Sequence, residues 1–265
     1  MKATNHSRRS LEHKTTWRFV PPICASGRVQ MAIDNWLFEQ HVRGGHPPTL
    51  RFYTWHPVAI SLGYHQRQYP DSWNHLTWNQ QPIELIRRPT GGRAVLHQGD
   101  LTYAVVMSGL PSNRRQAYQQ ICAFLIQGWR SLGVELFYGQ AGRGYIHNPN
   151  CFSTATTADL VLSNGFKLIG SAQLRRGDTV LQHGSMRLHQ NTDLFSTVFA
   201  EQETQIPHCP IELASDNLYE TAIAALVEAA TICFNAEFRV HPLSNEEWQT
   251  IQEVYALSCD FQKLQ

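Results

Sequence analysis

Alternation of apolar and polar residues predicts that strands make up most of the chain before residue 190. Aromatic and β-branched residues alternate with polar ones in these segments, as is typical of strands with one buried face. The predicted strands are residues 16–20, 50–55, 59–62, 83–87, 101–107, 134–138, 158–163, 166–171 and 179–188. Residues 140–150 contain Gly, Asn and Pro with little apolar pattern, and we interpret them as a loop leading to Cys151.

A hydrophobic period of 3.6 residues, typical of helices packed on a core, replaces the alternation in four segments. They are residues 26–42, 116–132, 218–233 and a short stretch after residue 244. Ser26 is a suitable N-cap for the first helix, and Ser244 with Glu247 forms a capping-box pattern before the last. Cys122 falls on the apolar face of the second helix, so we expect it in the core.

These elements predict an α/β (α+β) protein with a mixed central β-sheet and flanking helices. We assign residues 16–200 to the sheet domain and residues 201–265 to a helical extension packed on the same domain. A chain of 265 residues is long enough to bury a sizeable core in this arrangement. Residues 1–15 lack the apolar core of a secretory signal, so we expect a flexible leader, with an organelle transit signal as a second interpretation.

Composition argues against several classes of function. A formal net charge of +1 argues against a general nucleic-acid binder, which is usually strongly basic. We find no apolar run long enough to cross a bilayer, so we expect no membrane partner. The six cysteines include no C-x-x-C pair, and we expect reduced thiols in a cytoplasmic protein. The 13 histidines form no cluster with ligand spacing, so we expect no metal.

Three segments carry residue types that indicate a ligand site. The first is Arg87 to His97 (RRPTGGRAVLH), the second is Cys151 with the strand pair that follows it, and the third is Gly170 to Gln173 (GSAQ) continuing to Leu181 to Ser185 (LQHGS). The pair Gly91-Gly92 lets backbone approach a ligand closely because no side chains intervene. Arg87, Arg88 and Arg93 could supply positive charge to a phosphate or an acidic protein. Taken alone, this first segment is more simply explained as a tight turn with solvated arginines.

From about Arg18 to Glu253 the chain resembles the lipoyl-transferase and lipoate-protein ligase branch of the biotin/lipoate ligase superfamily. The resemblance rests on the segments above, on Asp100 to Tyr103 (DLTY) and on Asn164 to Ile169 (NGFKLI), which follow in the family's order and spacing. It implies a biotin/lipoate ligase-like catalytic domain whose central sheet holds an acyl-lysine-like ligand in a tunnel. The glycine pair and the strand at 166–171 are then expected along the tunnel walls.

Within this superfamily the chain is most similar to octanoyltransferases of the Gram-positive type, which hold the acyl group on a cysteine. Cys151-Phe152 stands where those enzymes have their Cys-Phe nucleophile, so Cys151 is the candidate nucleophile. The resemblance implies that Lys167 holds the substrate carbonyl and stabilises its oxyanion, although a lysine in a strand could equally face solvent. We expect no catalytic role for His97 or His183. The residues expected to bind substrate are Arg87, Arg88, Gly91, Gly92, Arg93, His97, Gly170, Ser171, Ala172, Gln173, His183 and Gly184.

The implied function is transfer of an octanoyl group from octanoyl-acyl carrier protein, through a cysteine thioester, to a lysine of a lipoate-dependent carrier. The expected acceptors are lipoyl domains of 2-oxoacid dehydrogenases or the glycine cleavage H protein. Thiol–thioester exchange is nearly isoenergetic, so we expect no cofactor. Arg87, Arg88, Arg175 and Arg176 are expected to form a local basic surface that receives an acidic carrier.

Three alternatives stay open on these residues. An ATP-dependent lipoate-protein ligase would use the same fold and would need ATP and magnesium. A non-catalytic protein could keep the acyl pocket without the chemistry, and the acyl group could also pass between two carrier proteins. The Gram-positive enzymes tend to have Tyr-Glu where this chain has Ala158-Asp159, and the interval from Cys151 to Gly170 is one residue longer here. These departures leave the contacts with the carrier open.

Overall fold

The protein is built around a sheet of eight strands, in a computed structural model that describes residues 14–139, 158–189, 191–199 and 217–256. The strands are β1 (Thr15–Ala25), β2 (Thr49–Trp55), β3 (Ala59–Leu62), β4 (Thr77–Trp78), β5 (Gln81–Pro82), β6 (Glu84–Arg87), β7 (Val95–His97), β8 (Asp100–Met107), β9 (Phe137–Tyr138), β10 (Leu160–Val161), β11 (Lys167–Arg176), β12 (Thr179–Arg187) and β13 (Ala236–Val240). The helices are α1 (Gly27–Val42), α2 (Arg114–Ser131), α3 (Thr192–Phe199), α4 (Leu218–Cys233) and α5 (Asn245–Thr250). A 3₁₀ turn covers Asp71–His75, and Ile251–Ala256 continues α5 as a π-helical segment.

The main sheet is mixed, with the strand order β13-β1-β2-β8-β12-β11-β10-β9. The pairs β13–β1 and β1–β2 are parallel, and every following pair from β2 to β9 is antiparallel. A second sheet has the order β6-β3-β7, and β4 pairs with β5 in a two-stranded ribbon. The long central strands β8 and β12 are buried along their whole length, which gives the site a rigid base.

Helices cover both faces of the main sheet and complete three hydrophobic clusters. On one face α2 and α4 pack against the sheet around Phe52, Tyr103 and Phe124. On the other face α1 packs through Met31 and Phe38. The small sheet and α3 form a third cluster of their own. Among the described residues, no helix combines the length and apolarity that a membrane crossing needs.

Most predicted elements are present, and the differences lie mainly at their ends. Ser26 caps α1 as predicted, its hydroxyl accepting the amide of Val29, and the predicted capping box of Ser244 and Glu247 is formed. Strand β1 begins at Thr15, the last residue of the predicted leader, while residues 1–13 lie outside the described part of the chain. Cys122 is fully buried, as predicted.

The tail contains a strand that the sequence-based prediction of a helical extension omits. Strand β13 joins the edge of the main sheet by parallel pairing with β1, in the register Thr15↔Ala236 to Phe19↔Val240. Its partner is more than two hundred residues away in sequence, so no local pattern predicts the pairing. The prediction of two helices in the tail is right for α4 and α5, and the tail in addition extends the sheet.

Candidate active site

One cavity opens where the small sheet faces β8, β11 and β12 of the main sheet. Strand β11 contributes Lys167 at its start and Ser171 further along, and the second sheet contributes Ser61 and His97. The full lining is Met31, Tyr53, Trp55, Ser61, Arg88, Gly92, Val95, His97, Thr102, Asp159, Lys167, Gly170, Ser171, Ala172, His183, Gly184 and Ser185. Residues of the first and third segments that indicated a ligand site, and Lys167 from the strand pair after Cys151, therefore meet at one place in the fold.

Not every residue predicted to bind substrate reaches this cavity. Those that line it are Arg88, Gly92, His97, Lys167, Gly170, Ser171, Ala172, His183 and Gly184. Arg87, Gly91, Arg93 and Gln173 are not part of the lining. Cys151, the predicted nucleophile, lies outside the described residues, in the segment that precedes Asp159.

Lys167 is buried in the cavity wall beside a carboxylate. Its Nζ lies 2.9 Å from Oδ2 of Asp159, and the two side chains are each 3% exposed. The irregular pairing of β10 with β11 places Leu160 opposite Ile169 and Val161 opposite Lys167. Asp159, just before β10, is anchored by its carbonyl, which accepts the amide of Gly139. Lys167 is thus in the cavity wall and not at a solvated edge.

Two glycines make room for the cavity and for the strands around it. A Cβ on Gly184 would lie 2.6 Å from Cε1 of Tyr103 and 2.7 Å from Oγ of Ser171, so a side chain there would displace both. Gly92 has φ +95, a conformation that glycine adopts without strain, and its carbonyl would lie 1.9 Å from a Cβ on Gly63. The backbone of the predicted glycine pair therefore packs directly on the chain after β3.

Arg88 holds residues 90–93, the glycine loop, by hydrogen bonds to backbone carbonyls. Its Nη2 donates to the carbonyls of Gly91 at 2.8 Å and Arg93 at 2.7 Å, and its Nη1 donates to that of Ser61 at 2.8 Å. Arg88 is only 6% exposed. Arg87 also donates to carbonyls, reaching that of Gly63 at 2.7 Å. Because Arg88 is buried and pairs with the loop, it is not part of the predicted exposed basic surface.

His183 connects the glycine loop to a buried ion pair under the cavity. Its Nδ1 donates to Oδ2 of Asp34 at 2.8 Å, and its Nε2 lies 2.6 Å from the hydroxyl of Thr90. Asp34 also accepts from Arg51 at 2.9 Å and from Tyr53 at 2.8 Å, and Arg51 bonds in turn to Gln30. The hydrogen bond between Nε2 and the Thr90 hydroxyl fixes the residue before the glycine pair.

His97 makes a parallel arrangement with Asp100. Its Nδ1 lies 2.9 Å from Oδ2 of Asp100, its Nε2 lies 2.8 Å from the hydroxyl of Ser61, and its ring stacks on Trp55 with centroids 3.7 Å apart. Oδ2 of Asp100 also accepts from Ser185 at 2.7 Å. Burial lowers the pKa of His97, and the neighbouring Asp100 opposes this shift only in part. The ring is therefore held neutral, with both nitrogens engaged.

A third polar chain reaches the cavity from the opposite face of the sheet. Gln173 Nε2 donates to Oε1 of Gln182 at 2.6 Å, Gln182 Nε2 donates to the hydroxyl of Tyr103 at 2.6 Å, and that hydroxyl lies 2.8 Å from Oγ of Ser171. Tyr103 and Gln182 are fully buried. Gln173 thus belongs to the site through this chain, although it does not line the cavity.

Several polar residues of the site were not among the predicted site residues. Asp34 and Asp100 bind the two histidines, Asp159 pairs with Lys167, and Tyr103 adjoins Ser171. Asp34 could have been found from its place on the buried face of α1, where a charged residue needs a partner. Within the described ranges, no three His, Cys, Asp or Glu residues are grouped so that they could hold a metal ion.

Comparison with known proteins identifies the family. Residues 26–226 match the model of the lipoyl protein ligase A/B catalytic domain. The chain is 36% identical over 197 residues to octanoyltransferase LipM of Anoxybacillus flavithermus, which is 70% of each chain. It is 35% identical over 197 residues to LipM of Bacillus subtilis, again 70% of each chain. These relatives confirm the predicted enzyme class, an acyltransferase that transfers octanoyl groups in lipoate biosynthesis.

Solved structures confirm the predicted fold. The lipoate protein ligase Ta0514 of T. acidophilum with bound lipoic acid superposes with a TM-score of 0.72 and 22% identity, covering 91% of this chain and 95% of that one. An archaeal bipartite lipoate protein ligase, described with its E2 lipoyl domain, superposes with a TM-score of 0.71 and 21% identity, covering 92% of each chain. Enzymes of this family act on lipoyl-domain proteins. By the match over residues 26–226, the chain belongs to the lipoyl protein ligase A/B catalytic-domain family.

Proposed function

We propose that this enzyme takes an octanoyl group from octanoyl-acyl carrier protein onto Cys151 and passes it to a lysine of an apo lipoyl domain. The observation that carries the proposal is the buried pair of Lys167 and Asp159 in the cavity wall. A buried cation in a cavity is well placed to stabilise negative charge that develops on a reacting carbonyl. Cys151 precedes Asp159 by eight residues in the sequence.

The first step exchanges one thioester for another. The thiolate of Cys151 attacks the carbonyl carbon of the donor thioester, a C–S bond to Cys151 forms, and the C–S bond to the carrier breaks. The departing carrier thiolate takes up the proton that Cys151 lost. Reactants and products are both a thiol and a thioester, so the step needs no ATP and no magnesium.

The second step forms an amide. The neutral amine of the acceptor lysine attacks the carbonyl of the acyl-cysteine, a C–N bond forms, and the C–S bond breaks. The amine proton passes to the leaving thiolate, which restores the Cys151 thiol. In both steps the carbonyl oxygen gains negative charge, and we assign the ammonium of Lys167 to stabilise it. Formation of an amide from a thioester is downhill, so the second step drives the transfer.

We propose in addition a cytoplasmic location and a lipoate-dependent carrier as acceptor. A thiol nucleophile must stay reduced, which favours a cytoplasmic enzyme. The acceptors that we propose are lipoyl domains of 2-oxoacid dehydrogenases or the glycine cleavage H protein. The description of one solved ligase together with its E2 lipoyl domain supports this class of acceptor.

The decisive experiment measures the mass of the enzyme and of an apo lipoyl domain after incubation with octanoyl-acyl carrier protein, with and without ATP. We expect the enzyme alone to gain one octanoyl group that hydroxylamine removes, and the acceptor to be modified equally well without ATP. Cys151→Ala should acquire no label. Cys24→Ala is the matched control, because Cys24 is exposed and outside the cavity lining, and it should label as the wild type does.

The same experiment tests the alternative of an ATP-dependent ligase. Octanoate with ATP and magnesium replaces the carrier thioester in a parallel reaction. Modification of the acceptor from free octanoate, with no activity from the thioester, would favour the ligase over the transferase. Labelling of Cys151→Ala at the wild-type level would show that the acyl group is held elsewhere.

A further inference from the structure

We propose that the hydroxyl of Ser171 donates a hydrogen bond to the carbonyl oxygen of the acyl group during transfer, and that Tyr103, Gln182 and Gln173 are positioning residues that fix the direction of this donation. The inference rests on the proposed function, in which that oxygen becomes an oxyanion twice. It adds a neutral donor to the charge of Lys167 and assigns a role to a buried chain that does not itself line the cavity.

The polarity of the chain follows from its two amides. Oε1 of Gln182 accepts from Gln173, so the other end of the same amide, Nε2, faces Tyr103. An amide nitrogen can only donate, and the Tyr103 oxygen is therefore the acceptor in that bond. The phenol has one proton of its own. Since its other partner is Oγ of Ser171 at 2.8 Å, that proton is donated to Ser171.

The surroundings keep each member of the chain in the protonation state that this polarity needs. Burial raises the pKa of Tyr103 well above its usual range, so the phenol remains a donor. Cys122 Sγ lies 3.5 Å from Nε2 of Gln182, and burial raises the pKa of this thiol to about 12. A neutral thiol presents no charge that would turn the amide. The chain thus has one stable direction, from Gln173 towards Ser171.

The hydroxyl of Ser171 has one proton of its own to donate. A serine hydroxyl that accepts a hydrogen bond from Tyr103 must direct its own proton elsewhere. Ser171 lines the cavity, on the same strand as Lys167 and beside Gly184, which has no side chain. The proton is therefore available to a ligand in the cavity. Accepting from Tyr103 also polarises the serine hydroxyl, because hydrogen bonds in a chain strengthen one another.

The test compares steady-state transfer of octanoyl groups by wild type, Ser171→Ala, Tyr103→Phe and the double variant. We expect Ser171→Ala to lower kcat by about tenfold or more, with KM for the acyl donor within twofold, since a donor to the oxyanion acts mainly in the transition state. Tyr103→Phe should lower kcat less. The double variant should be no slower than Ser171→Ala, because Tyr103 acts through Ser171. Independent, additive losses would overturn the assignment.

Matched controls remove similar hydroxyls away from the cavity. Ser131 donates to the carbonyl of Gly128, and Tyr138 donates to that of Gln119, so Ser131→Ala and Tyr138→Phe should keep wild-type kcat. Thermal unfolding of each variant separates lost folding from lost activity. If Tyr103→Phe does not fold, Gln173→Leu breaks the chain one step earlier at a half-buried position and should again have no effect once Ser171 is alanine. An equally active Ser171→Ala overturns the inference by itself.

A second measurement does not depend on turnover and keeps the two proposals distinguishable. The infrared stretching frequency of carbonyl-labelled octanamide bound to the enzyme reports hydrogen bonding to its oxygen. We expect a higher frequency in Ser171→Ala than in wild type, because one donor is lost. An unchanged frequency contradicts the role of Ser171. An inactive wild type with a shifted frequency contradicts only the proposed transferase reaction.

Discussion

The two sides of the cavity use buried polar groups in different ways. Around the small sheet and the glycine loop, His97 of β7 and His183 of β12 each contact a carboxylate with one ring nitrogen and a hydroxyl with the other. On the side of β11, Lys167 brings a charge and Ser171 brings a hydroxyl to the cavity wall. The histidines therefore hold backbone in place, whereas Lys167 and Ser171 present groups to a substrate.

This difference separates residues that should affect the free energy of unfolding from residues that should affect the rate of transfer. A histidine whose two nitrogens are both hydrogen-bonded within the protein has no free nitrogen with which to give a proton to a substrate or to receive one. Removing such a residue should loosen the glycine loop and lower the free energy of unfolding. A charge in the cavity wall should matter mainly when negative charge develops on the substrate.

The largest effect is expected for Lys167→Met, which keeps much of the apolar stem and removes the charge. Octanoyl transfer should slow by about a hundredfold or more, the order found when one donor to an oxyanion is lost. Both loading and unloading of Cys151 should slow, as measured by rapid-quench mass spectrometry. Lys167→Arg should restore little activity, because the planar guanidinium is bulkier than the ammonium. Near wild-type transfer by a folded Lys167→Met protein would refute the role of the charge.

Asp159 provides the control for folding. Lys167→Met leaves the Asp159 carboxylate buried without its partner, which costs roughly 3–5 kcal/mol when a buried pair is broken. Adding Asp159→Asn removes that charge, so the double variant should recover stability in urea unfolding and remain slow in transfer. Lys14→Met changes an exposed lysine and should alter neither property. Recovery of activity together with stability would show that Lys167 has only a structural role.

How much of this site the sequence could reveal differs from residue to residue. The motif resemblance identified Lys167, but alternation along a strand could not decide whether its side chain faces solvent or a pocket. The answer depends on β10, a two-residue strand that brings Asp159 against it by an irregular pairing. Arg88 was recognised as important for its charge, while its actual partners are carbonyls that only the folded loop brings together.

The same limit applies to the fold. Helix α1 follows from Ser26 and the hydrophobic period that comes after it, because a helix is specified by neighbours in sequence. Strand β13 does not, since its five residues gain their strand structure by pairing with β1 at the other end of the chain. Local patterns therefore predicted α1, α2, α4 and the central strands, but missed the short helix α3 and the edge strand β13, whose pairing is distant.

On the histidine side, the largest effect is expected for Asp34→Ala. This change leaves Arg51 buried without its carboxylate partner, so the free energy of unfolding should fall by roughly 3–5 kcal/mol. Transfer by the protein that remains folded should stay within a few-fold of wild type, because Asp34 acts on the loop only through His183. Urea unfolding and active-site titration measure the two quantities. A large loss of rate in fully folded protein would show that Asp34 and His183 contribute to catalysis and not only to stability.

A smaller effect is expected from the titration of His97. Its pKa is lowered by burial from the ordinary value of 6.5, so the unfolded chain binds a proton at a higher pH than the folded protein does. The stability that depends on neutral His97 is therefore complete above about pH 6.5 and is lost as the pH falls towards the lower folded value. Asp100, which raises the pKa, limits the loss, while Arg88 and His183 add to it.

His97→Gln isolates this contribution, because an amide can keep a donor towards Asp100 and an acceptor towards Ser61. The free energy of unfolding of wild type should decline more steeply below about pH 6.5 than that of the variant. His46, whose pKa burial also lowers, is present in both proteins and cancels in the difference. Parallel curves would show that the pKa of His97 is the same in the folded and the unfolded protein.

The smallest effect is expected at the surface. Of the four arginines in the predicted basic surface, Arg176 is the exposed one. Its side chain is 55% exposed and pairs with Glu39, an arrangement that contributes about 0–1 kcal/mol, so Arg176→Gln should barely change the thermal unfolding midpoint. If Arg176 receives an acidic carrier, KM for octanoyl-acyl carrier protein should rise a few-fold at low salt and not at high salt, because screening removes such attraction in wild type as well. Arg239→Gln is the matched control: Arg239 is 69% exposed, pairs with Glu237, and lies on β13 at the far edge of the sheet. Equal salt dependence in both variants and wild type would show that Arg176 is solvated surface that does not receive the carrier.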